Sequence, residues 1–309
     1  MVKANREGSN LLVLDGQVSI DDRSGGKQRI MGEGARARFG RNGLIELVYG
    51  PERPLPERSL SPLKNSTTSV QGRVLGHEGT SIIPKVRSRG DVIGKQVLPL
   101  IESGFQDRAC ITPLKQSSLI RFAGIAGSYA KLPEHSGLTP FSLEYGWLAW
   151  YSGQVKPPEP GRYRFHGYAD NHLLLAIDGK PVFEGSRHDS PFTKLGISRT
   201  DNPSLPCLVA NAGLASGPWI DLTGAPVQLD ILFGEIDSKQ TSGLLLVERE
   251  RAAYENTYWG QPKWPLFLTE KPIAADLAEL NDLRGHMEAK LMGSFSVSEE
   301  SVWNVVLPE

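Results

Sequence analysis

The hydrophobic pattern of residues 161–183 predicts two antiparallel strands joined by a tight turn. Apolar and polar side chains alternate from 161 to 170, which is typical of a strand with one buried face. Residues 173–177 form a short continuous apolar run, as expected of a strand covered on both faces. The pair Asp178-Gly179 then favours a two-residue hairpin turn with positive φ. This stretch therefore indicates a β-sandwich rather than a helical fold.

The first hundred residues also follow a short-strand pattern. Asn42-Gly43 is the clearest hairpin signal in this region. Residues 50–68 are rich in proline and then in serine and threonine, which is typical of a linker or an extended arm. Strands are predicted at 11–20, 35–39, 44–49, 70–75, 80–86 and 92–101. The region forms either a small β domain or strands that augment the sandwich.

The period of the apolar positions changes near the C-terminus. Residues 273–291 carry apolar side chains at three- and four-residue steps, which predicts one amphipathic helix from about Ala274 to Leu291. Its apolar stripe is explained either by packing against the sandwich or by binding a partner. The tail around Trp303 is a further apolar run. It either completes a sheet of its own chain or pairs with the edge of a neighbouring subunit.

Composition agrees with this mainly-β interpretation. Thirty-three glycines and 22 prolines suit many short strands joined by turns. We expect an antiparallel, jelly-roll-like β-sandwich with a β-rich N-terminal region and one C-terminal helix. The predicted divisions are a β-rich region at 1–110, the sandwich at 118–259, and the helix with a terminal strand at 260–309.

Charge and hydropathy limit the classes of partner. The first 120 residues carry more basic than acidic side chains and the remainder the reverse, so intramolecular or head-to-tail contact between the two parts is expected. The basic residues alternate with glycine and apolar residues and lack interleaved aromatics, so we expect no nucleic acid partner. No apolar run has the length of a membrane span. The first residues also lack the apolar core of a secretory signal.

Two cysteines, Cys110 and Cys207, provide neither metal-ligand spacing nor a disulfide framework. A bridge between them would tie the segment entering the sandwich to a long loop and would stabilise the fold by about 2–5 kcal/mol. We expect instead two buried, unpaired thiols.

Several motifs together resemble the lectin-like β-sandwich of the anthrax protective-antigen type, the fourteen-kilodalton module. They are Trp147, Trp150, Tyr151-Ser-Gly153, Pro160-Gly-Arg-Tyr-Arg-Phe165, Asp170-Asn171, Ile177-Asp-Gly-Lys180, Trp219-Ile-Asp-Leu222, Val227 to Glu235 and Gly243 to Glu248. The resemblance covers about residues 118–259. It is closest to variants in surface proteins of planctomycete-type bacteria and is also similar to the fibro-slime module. It implies an extracellular or cell-surface location and a glycan or cell-surface polysaccharide as the partner.

The resemblance also implies where a ligand would bind. Family members that bind sugar through calcium have two adjacent aspartates, whereas this chain has Asp170 followed by Asn171. An amide oxygen also ligates calcium, so this departure lowers the charge of the site without removing its chemistry. The segment 185–206 would supply further oxygens. The predicted metal ligands are Asp170, Asn171 and Asp189, and the predicted ligand-binding residues are Asp170, Asn171, His172, Asp201, Asn202 and Tyr168.

Two further interpretations of these residues stay open. Asp170 and Asn171 also suit a turn in which they hydrogen-bond their own backbone, without any metal. Trp147, Trp150 or Tyr168 would offer a flat apolar face to a sugar ring, but residues three apart on a straight strand point to opposite faces. At least one of the two tryptophans is therefore expected in the core.

Catalysis has little support in the sequence. The six histidines include no pair at helical metal-site spacing, and no Gly-x-Ser-x-Gly, Walker or dinucleotide fingerprint is present. His172 or His188 with a nearby aspartate would form an acid–base pair, but a nucleophile is missing. We therefore expect a non-catalytic carbohydrate-binding or adhesive module. The alternative is a structural protein of a surface appendage or filament, which self-associates through the N-terminal strands, the proline arm and the terminal strand.

Overall fold

The fold was analysed in a computed structural model of the chain, which describes residues 2–5, 8–12, 18–20, 29–31, 36–40, 43–48, 70–76, 92–129, 131–138, 146–206, 213–236, 241–257, 260–289 and 293–307. Contacts between backbone positions divide the chain into two compact units. One comprises Met1–Leu55 with Ala210–Ala212, and the other comprises Pro56–Val209 with Gly213–Glu309.

The first unit is built from short antiparallel strands. They are β1 (Val2–Asn5), β2 (Gly8–Leu12), β3 (Val18–Ile20), β4 (Arg29–Met31), β5 (Arg36–Gly40) and β6 (Gly43–Val48). Four of them form a sheet in the order β1-β2-β5-β6, and β3 pairs with β4. Gly40 pairs with Gly43, so β5 and β6 form a hairpin where one was predicted, but Gly43 is the first residue of β6 rather than a turn residue. The strand predicted at 11–20 is instead two elements, because β2 ends at Leu12 and β3 begins at Val18.

The second unit contains the two sheets of a sandwich. Its strands are β7 (Val70–Gly76), β8 (Lys115–Gln116), β9 (Ile120–Phe122), β10 (Ala126–Ser128), β11 (Trp147–Lys156), β12 (Gly161–Asp170), β13 (His172–Ile177), β14 (Lys180–Glu184), β15 (Thr200–Pro206), β16 (Gly213–Ser216), β17 (Ile220–Leu222), β18 (Val227–Glu235), β19 (Ser242–Arg249) and β20 (Asn304–Val306). The six-stranded sheet runs β10-β19-β12-β16-β15, with β17 on β12. The eight-stranded sheet runs β14-β13-β18-β11-β7-β8, with β9 on β7 and β20 on β11. The predicted antiparallel β-sandwich is confirmed.

Strand β7 is the first described strand of the sandwich. It pairs with β11 from Gln71 opposite Ser152 to Gly76 opposite Trp147. Of the two alternatives for the first hundred residues, this segment therefore augments the sandwich.

The sandwich core separates the two tryptophans of β11. Trp147 is fully buried between the sheets and contacts Phe233 edge-on, with ring centroids 5.9 Å apart. Trp150 points to the outer face of the eight-stranded sheet, where it belongs to a second apolar cluster with Phe105. This confirms the expectation that residues three apart on one strand point to opposite faces.

Helices cover that outer face, where the sequence predicted a strand at 92–101. Among the described residues the helices are α1 (Val92–Gln96), α2 (Leu98–Glu102), α3 (Leu132–His135) and α4 (Ala274–Ala289). The strand prediction was wrong because it followed the β-branched content of the segment. Ile93, Val97, Leu100 and Ile101 are all buried and recur at a helical spacing. The expectation of a single helix is corrected for the same reason.

The C-terminal segments fold onto their own chain. In α4, Leu280, Leu283 and Met287 are buried, whereas Ile273, just before the helix, and Leu277 are exposed. Leu291 lies outside the described residues. Strand β20 pairs antiparallel with β11, so the tail completes a sheet of its own chain. No helix in the described ranges has the length and apolarity needed to cross a membrane.

The predicted hairpin turn is confirmed in detail. Asp178 and Gly179 have φ values of 50° and 75°, and Ile177 pairs with Lys180 across them. Both positive values match the geometry of a type I′ turn. A Cβ on Gly179 would lie 2.9 Å from the carbonyl oxygen of Gly104, so the turn also requires glycine for close packing.

Cys110 is half-buried and carries a free thiol, whose pKa is raised by burial. Cys207, the second predicted unpaired thiol, lies outside the described residues, as do the arm at 50–68 and the strand predicted at 80–86.

Candidate functional site

The Asp170-Asn171 step connects the two sheets of the sandwich. Asp170 is the last residue of β12 in the six-stranded sheet, and β13 of the eight-stranded sheet begins at His172. The peptide bond between Asp170 and Asn171 is cis. The Asn171 N–H donates to the carbonyl of Gly234 at 3.0 Å, and its carbonyl accepts from the N–H of Arg187 at 2.9 Å. Backbone bonds on both sides therefore hold the crossing in one conformation.

The Asn171 side chain supports this crossing from within the core. It is fully buried. Its Oδ1 accepts from the backbone N–H of Ile236 at 2.9 Å, and its Nδ2 donates to Asp170 Oδ1 at 3.0 Å. The amide thus orients the Asp170 carboxylate.

Arg187 brings together two of the aspartates predicted as metal ligands. Its Nη1 donates to Asp170 Oδ1 at 2.5 Å. Its Nε and Nη2 donate to the two oxygens of Asp189 at 3.0 and 2.5 Å. A guanidinium presents donors in a planar fork that matches a carboxylate in this bidentate way. We call Asp170, Asn171, Arg187 and Asp189 the Arg187 cluster.

The charges of the cluster stabilise one another. The hydrogen bonds that Arg187 donates to Asp189, together with the charge of Asp170, raise the pKa of Arg187 above its ordinary value despite partial burial. Burial opposes ionisation of Asp189, but hydrogen bonding and charge attraction to Arg187 outweigh it and lower the pKa of that carboxyl. The side chains of Asp170, Arg187 and Asp189 keep 16%, 32% and 36% of their surface exposed. The cluster is therefore partly exposed to solvent.

The arrangement does not fit a calcium ion as it stands. Calcium takes six to eight oxygens, and the carboxylates of Asp170 and Asp189 both face the Arg187 guanidinium. Within the described part of the chain, no three His, Cys, Asp or Glu side chains are grouped as a metal site requires. A resident positive charge stands where the prediction placed the metal.

A second arginine holds the next predicted aspartate. Arg199 Nη1 donates to Glu184 Oε2 at 2.6 Å and to the Ser186 carbonyl at 2.9 Å, and its Nε lies 3.1 Å from Asp201 Oδ1. Burial opposes the charged guanidinium, but Glu184 and Asp201 outweigh it and raise the pKa of Arg199. Asp201 is thus bound to Arg199 instead of joining the Arg187 cluster. Asn202 pairs with Leu214 in the sheet, and its side chain is outside the described set.

Two further residues predicted to bind a ligand, His172 and Tyr168, are buried beside the Arg187 cluster. His172 is buried, and its Nδ1 lies 2.8 Å from the hydroxyl of Ser190, a residue of the loop that carries Arg187. Tyr168 is 4% exposed, so its ring offers no open face to a sugar. Its position beside Arg187 contributes to the raised pKa of that guanidinium.

The sequence analysis missed both arginines. Each precedes its aspartate by two residues, as Arg187-His-Asp189 and Arg199-Thr-Asp201. Arg199 directly precedes β15 and Asp201 lies in it, and residues two apart in extended chain lie on one side. Arg187 and Asp189 instead lie in a turn, in which the Ser190 N–H donates to the Arg187 carbonyl at 3.0 Å. This repeated Arg-x-Asp spacing was the signal that could have identified the clusters.

Solved structures similar to this chain were found at low TM-scores and low sequence identity. No family model matches the chain, and no curated protein matches it in sequence. A PA14 sugar-binding domain from an RTX adhesin is similar with a TM-score of 0.36 and 14% identity, over 62% of this chain and 94% of that chain. The Epithelial Adhesin 6 A domain from Candida glabrata, in complex with Galb1-3GlcNAc, is similar with a TM-score of 0.36 and 12% identity, over 65% and 88%. Similarity at this distance assigns no ligand to this chain.

Proposed function

We propose that the chain is a non-catalytic carbohydrate-binding module, and that the sugar binds at the Arg187 cluster. The observation that carries the proposal is the partly exposed pairing of Asp170 and Asp189 with one guanidinium. Sugar hydroxyls both donate and accept hydrogen bonds. The carboxylates accept such bonds and the guanidinium donates them, so adjacent hydroxyls on one ring would find complementary partners.

Rigidity of the cluster supports binding. The backbone of Asn171 is bonded to Gly234 and Arg187, and the Asn171 amide is bonded to Ile236 and Asp170. A ligand that binds to groups already held in place loses less conformational entropy from the protein. The loop that carries Arg187 is fixed at Ser190 by His172.

The ionisation of the cluster favours binding over catalysis. A general acid needs a carboxyl whose pKa is raised towards the working pH. The pKa of the Asp189 carboxyl is lowered instead, because Arg187 stabilises its ionised form. Calcium assistance remains a prediction outside this proposal, since the guanidinium already provides a positive charge. A location at the cell surface, where an adhesive module would act, is proposed on the motif resemblance.

A glycan array tests the proposal, with the purified protein applied in chelator and again in calcium. The variant Asp170→Asn keeps the shape of the side chain but removes the charge that pairs with Arg187. The matched control is Asp221→Asn, an aspartate that is 84% exposed and pairs with Arg162 elsewhere. We expect the wild type and the control to bind the same glycans and Asp170→Asn to lose at least about tenfold in affinity.

Light scattering on the same samples tests the alternative of an assembly protein. A monomer that binds glycans supports the module. A large or filamentous particle without any glycan binding would instead support the structural alternative.

A further inference from the structure

A depression apart from the Arg187 cluster lies on the outer face of the eight-stranded sheet, and its lining combines apolar side chains such as Leu75, Ile111 and Leu119 with polar ones. It has a volume of about 330 Å³ and is bounded by β7, β11 and the segment from Arg108 to Leu119. Side chains that line it include Gln71, Arg73, Arg108, Thr112, Gln116 and Trp150. The volume is at the lower end of the range of ligand sites, roughly 300–1,000 Å³, and suits one or two sugar rings.

The charged side chains that line the depression are all positive. Two arginines line the depression, and no aspartate or glutamate does. Arg73 Nη1 donates to the Ser117 carbonyl at 2.6 Å. Within the described residues, neither Arg73 nor Arg108 lies within ion-pair distance of a carboxylate. A depression with this lining attracts an anion.

Trp150 orients one of these arginines. The Arg108 guanidinium lies over the indole ring, 5.1 Å from its centroid. Stacking uses the flat face of a guanidinium and leaves its N–H edges available to a ligand. The ring is itself fixed, because Trp150 Nε1 donates to Asp230 Oδ1 at 2.9 Å.

Asp230, the carboxylate that holds the Trp150 indole, adds no negative charge to the surface of the depression. Asp230 is 2% exposed and is not among the residues of the lining. Burial raises its pKa, although the hydrogen bonds from Ser152, Trp150 and Gln228 partly oppose that rise. Its role is to hold the indole beneath Arg108.

We propose that this depression binds an acidic sugar unit, with a carboxylate or sulfate on Arg108 and Arg73 and the hydroxyls on Gln116 and Thr112. A guanidinium fork binds carboxylate and sulfate oxygens in the same bidentate manner, so the two acidic groups share one chemistry. The site is separate from the Arg187 cluster, because β11 and β18 lie between β7 and β13 in the sheet. The choice of a sugar as the ligand rests on the proposed function, whereas the basic lining and the separate position of the depression do not.

Nuclear magnetic resonance titration of the isotope-labelled protein tests the proposal with four probes: glucuronate, glucose 6-sulfate, glucose and acetate. We expect at least one acidic sugar to bind about tenfold more tightly than glucose or acetate, and the tighter of the two identifies the acidic group. Arg108→Gln should weaken that binding about tenfold. The control Arg284→Gln, on α4, should leave it unchanged.

Arg73→Gln, at an exposed position, keeps the test available if Arg108→Gln does not fold. Acetate or glucose binding as tightly as the acidic sugars would overturn the proposal. Unchanged affinity in a folded Arg108→Gln or Arg73→Gln protein would also overturn it, as would the absence of shifts with either acidic sugar at millimolar concentration. An Asp170→Asn variant that loses its glycans but keeps glucuronate would show that the two sites are independent.

Discussion

Arg187 Nη1 lies 2.5 Å from Asp170 Oδ1, at the point where the chain crosses between the two sheets. The other donors of the same guanidinium bind Asp189. Carboxylate oxygens can ligate a calcium ion or accept hydrogen bonds from a guanidinium. Here the positive charge is supplied by the guanidinium of the chain's own Arg187. The acidic step that resembles a calcium site is therefore paired within the protein itself.

The first prediction concerns that pairing. Arg187→Gln removes the positive charge but keeps a polar side chain, so Asp170 and Asp189 lose its counter-charge. We expect the variant to bind calcium at least about tenfold more tightly than the wild type, measured by calorimetric titration of chelator-treated protein.

The double variant Arg187→Gln with Asp170→Asn serves as its control and should lose the gained affinity. Measurable and equal calcium affinity in the wild type and in Arg187→Gln would show that the guanidinium moves aside for the ion, which would support the calcium prediction.

Acid sensitivity is the second prediction, and it concerns His166. This side chain is buried, with Nε2 2.9 Å from Glu248 Oε2 and Nδ1 2.7 Å from Ser216 Oγ. It also stacks on Trp264 at 3.7 Å. Burial lowers the pKa of His166 below 6.5, although Glu248 opposes the shift. Because the unfolded chain takes up this proton first, the free energy of unfolding should fall as the pH falls from about 7.5 to about 5.5.

Urea unfolding at both pH values measures this effect, with His166→Gln as the comparison. The variant cannot take up the proton, so its free energy of unfolding should change less with pH over this interval. Glu248 also has a lowered pKa, because Arg164 and His166 outweigh its burial. The stabilisation that Glu248 contributes is lost only when the pH falls below its unfolded pKa of 4.5, which lies outside the interval from about 7.5 to about 5.5. An identical fall in both proteins would exclude His166 as the cause.

Much of the fold could be predicted because strand periodicity is a local property. The alternation in β12 and the Asp178-Gly179 turn depend only on neighbouring residues, and both were predicted correctly. The helices at 92–102 were missed because β-branched residues obscured a helical spacing. The Arg187 cluster required knowledge of which loop folds back onto Asp170, and that contact spans 17 positions. Local patterns do not specify such a contact.

The third prediction compares two glycines, one required for its positive φ alone and the other for positive φ and close packing. Gly179 and Gly196 have nearly the same φ, 75° and 71°. A Cβ on Gly179 would lie 2.9 Å from the Gly104 carbonyl oxygen, whereas one on Gly196 would contact nothing within 4 Å. Gly196→Ala should therefore cost about 1 kcal/mol from the left-handed conformation alone. Gly179→Ala should cost about 2 kcal/mol or more, measured by urea unfolding. Equal losses would show that the turn shifts to accept the methyl group.

The last prediction tests the finding that the tail completes a sheet of its own chain. Trp303 is fully buried, with its ring centroid 5.4 Å from Tyr163 and 5.3 Å from Phe267. Trp303→Ala should lower the free energy of unfolding by about 3–5 kcal/mol and leave the particle size in light scattering unchanged. Leu307→Ala, at a residue that is 52% exposed, should change neither. A Trp303→Ala protein of normal stability but smaller particle size would instead place the tail in a subunit interface, because only an intermolecular contact would then have been lost.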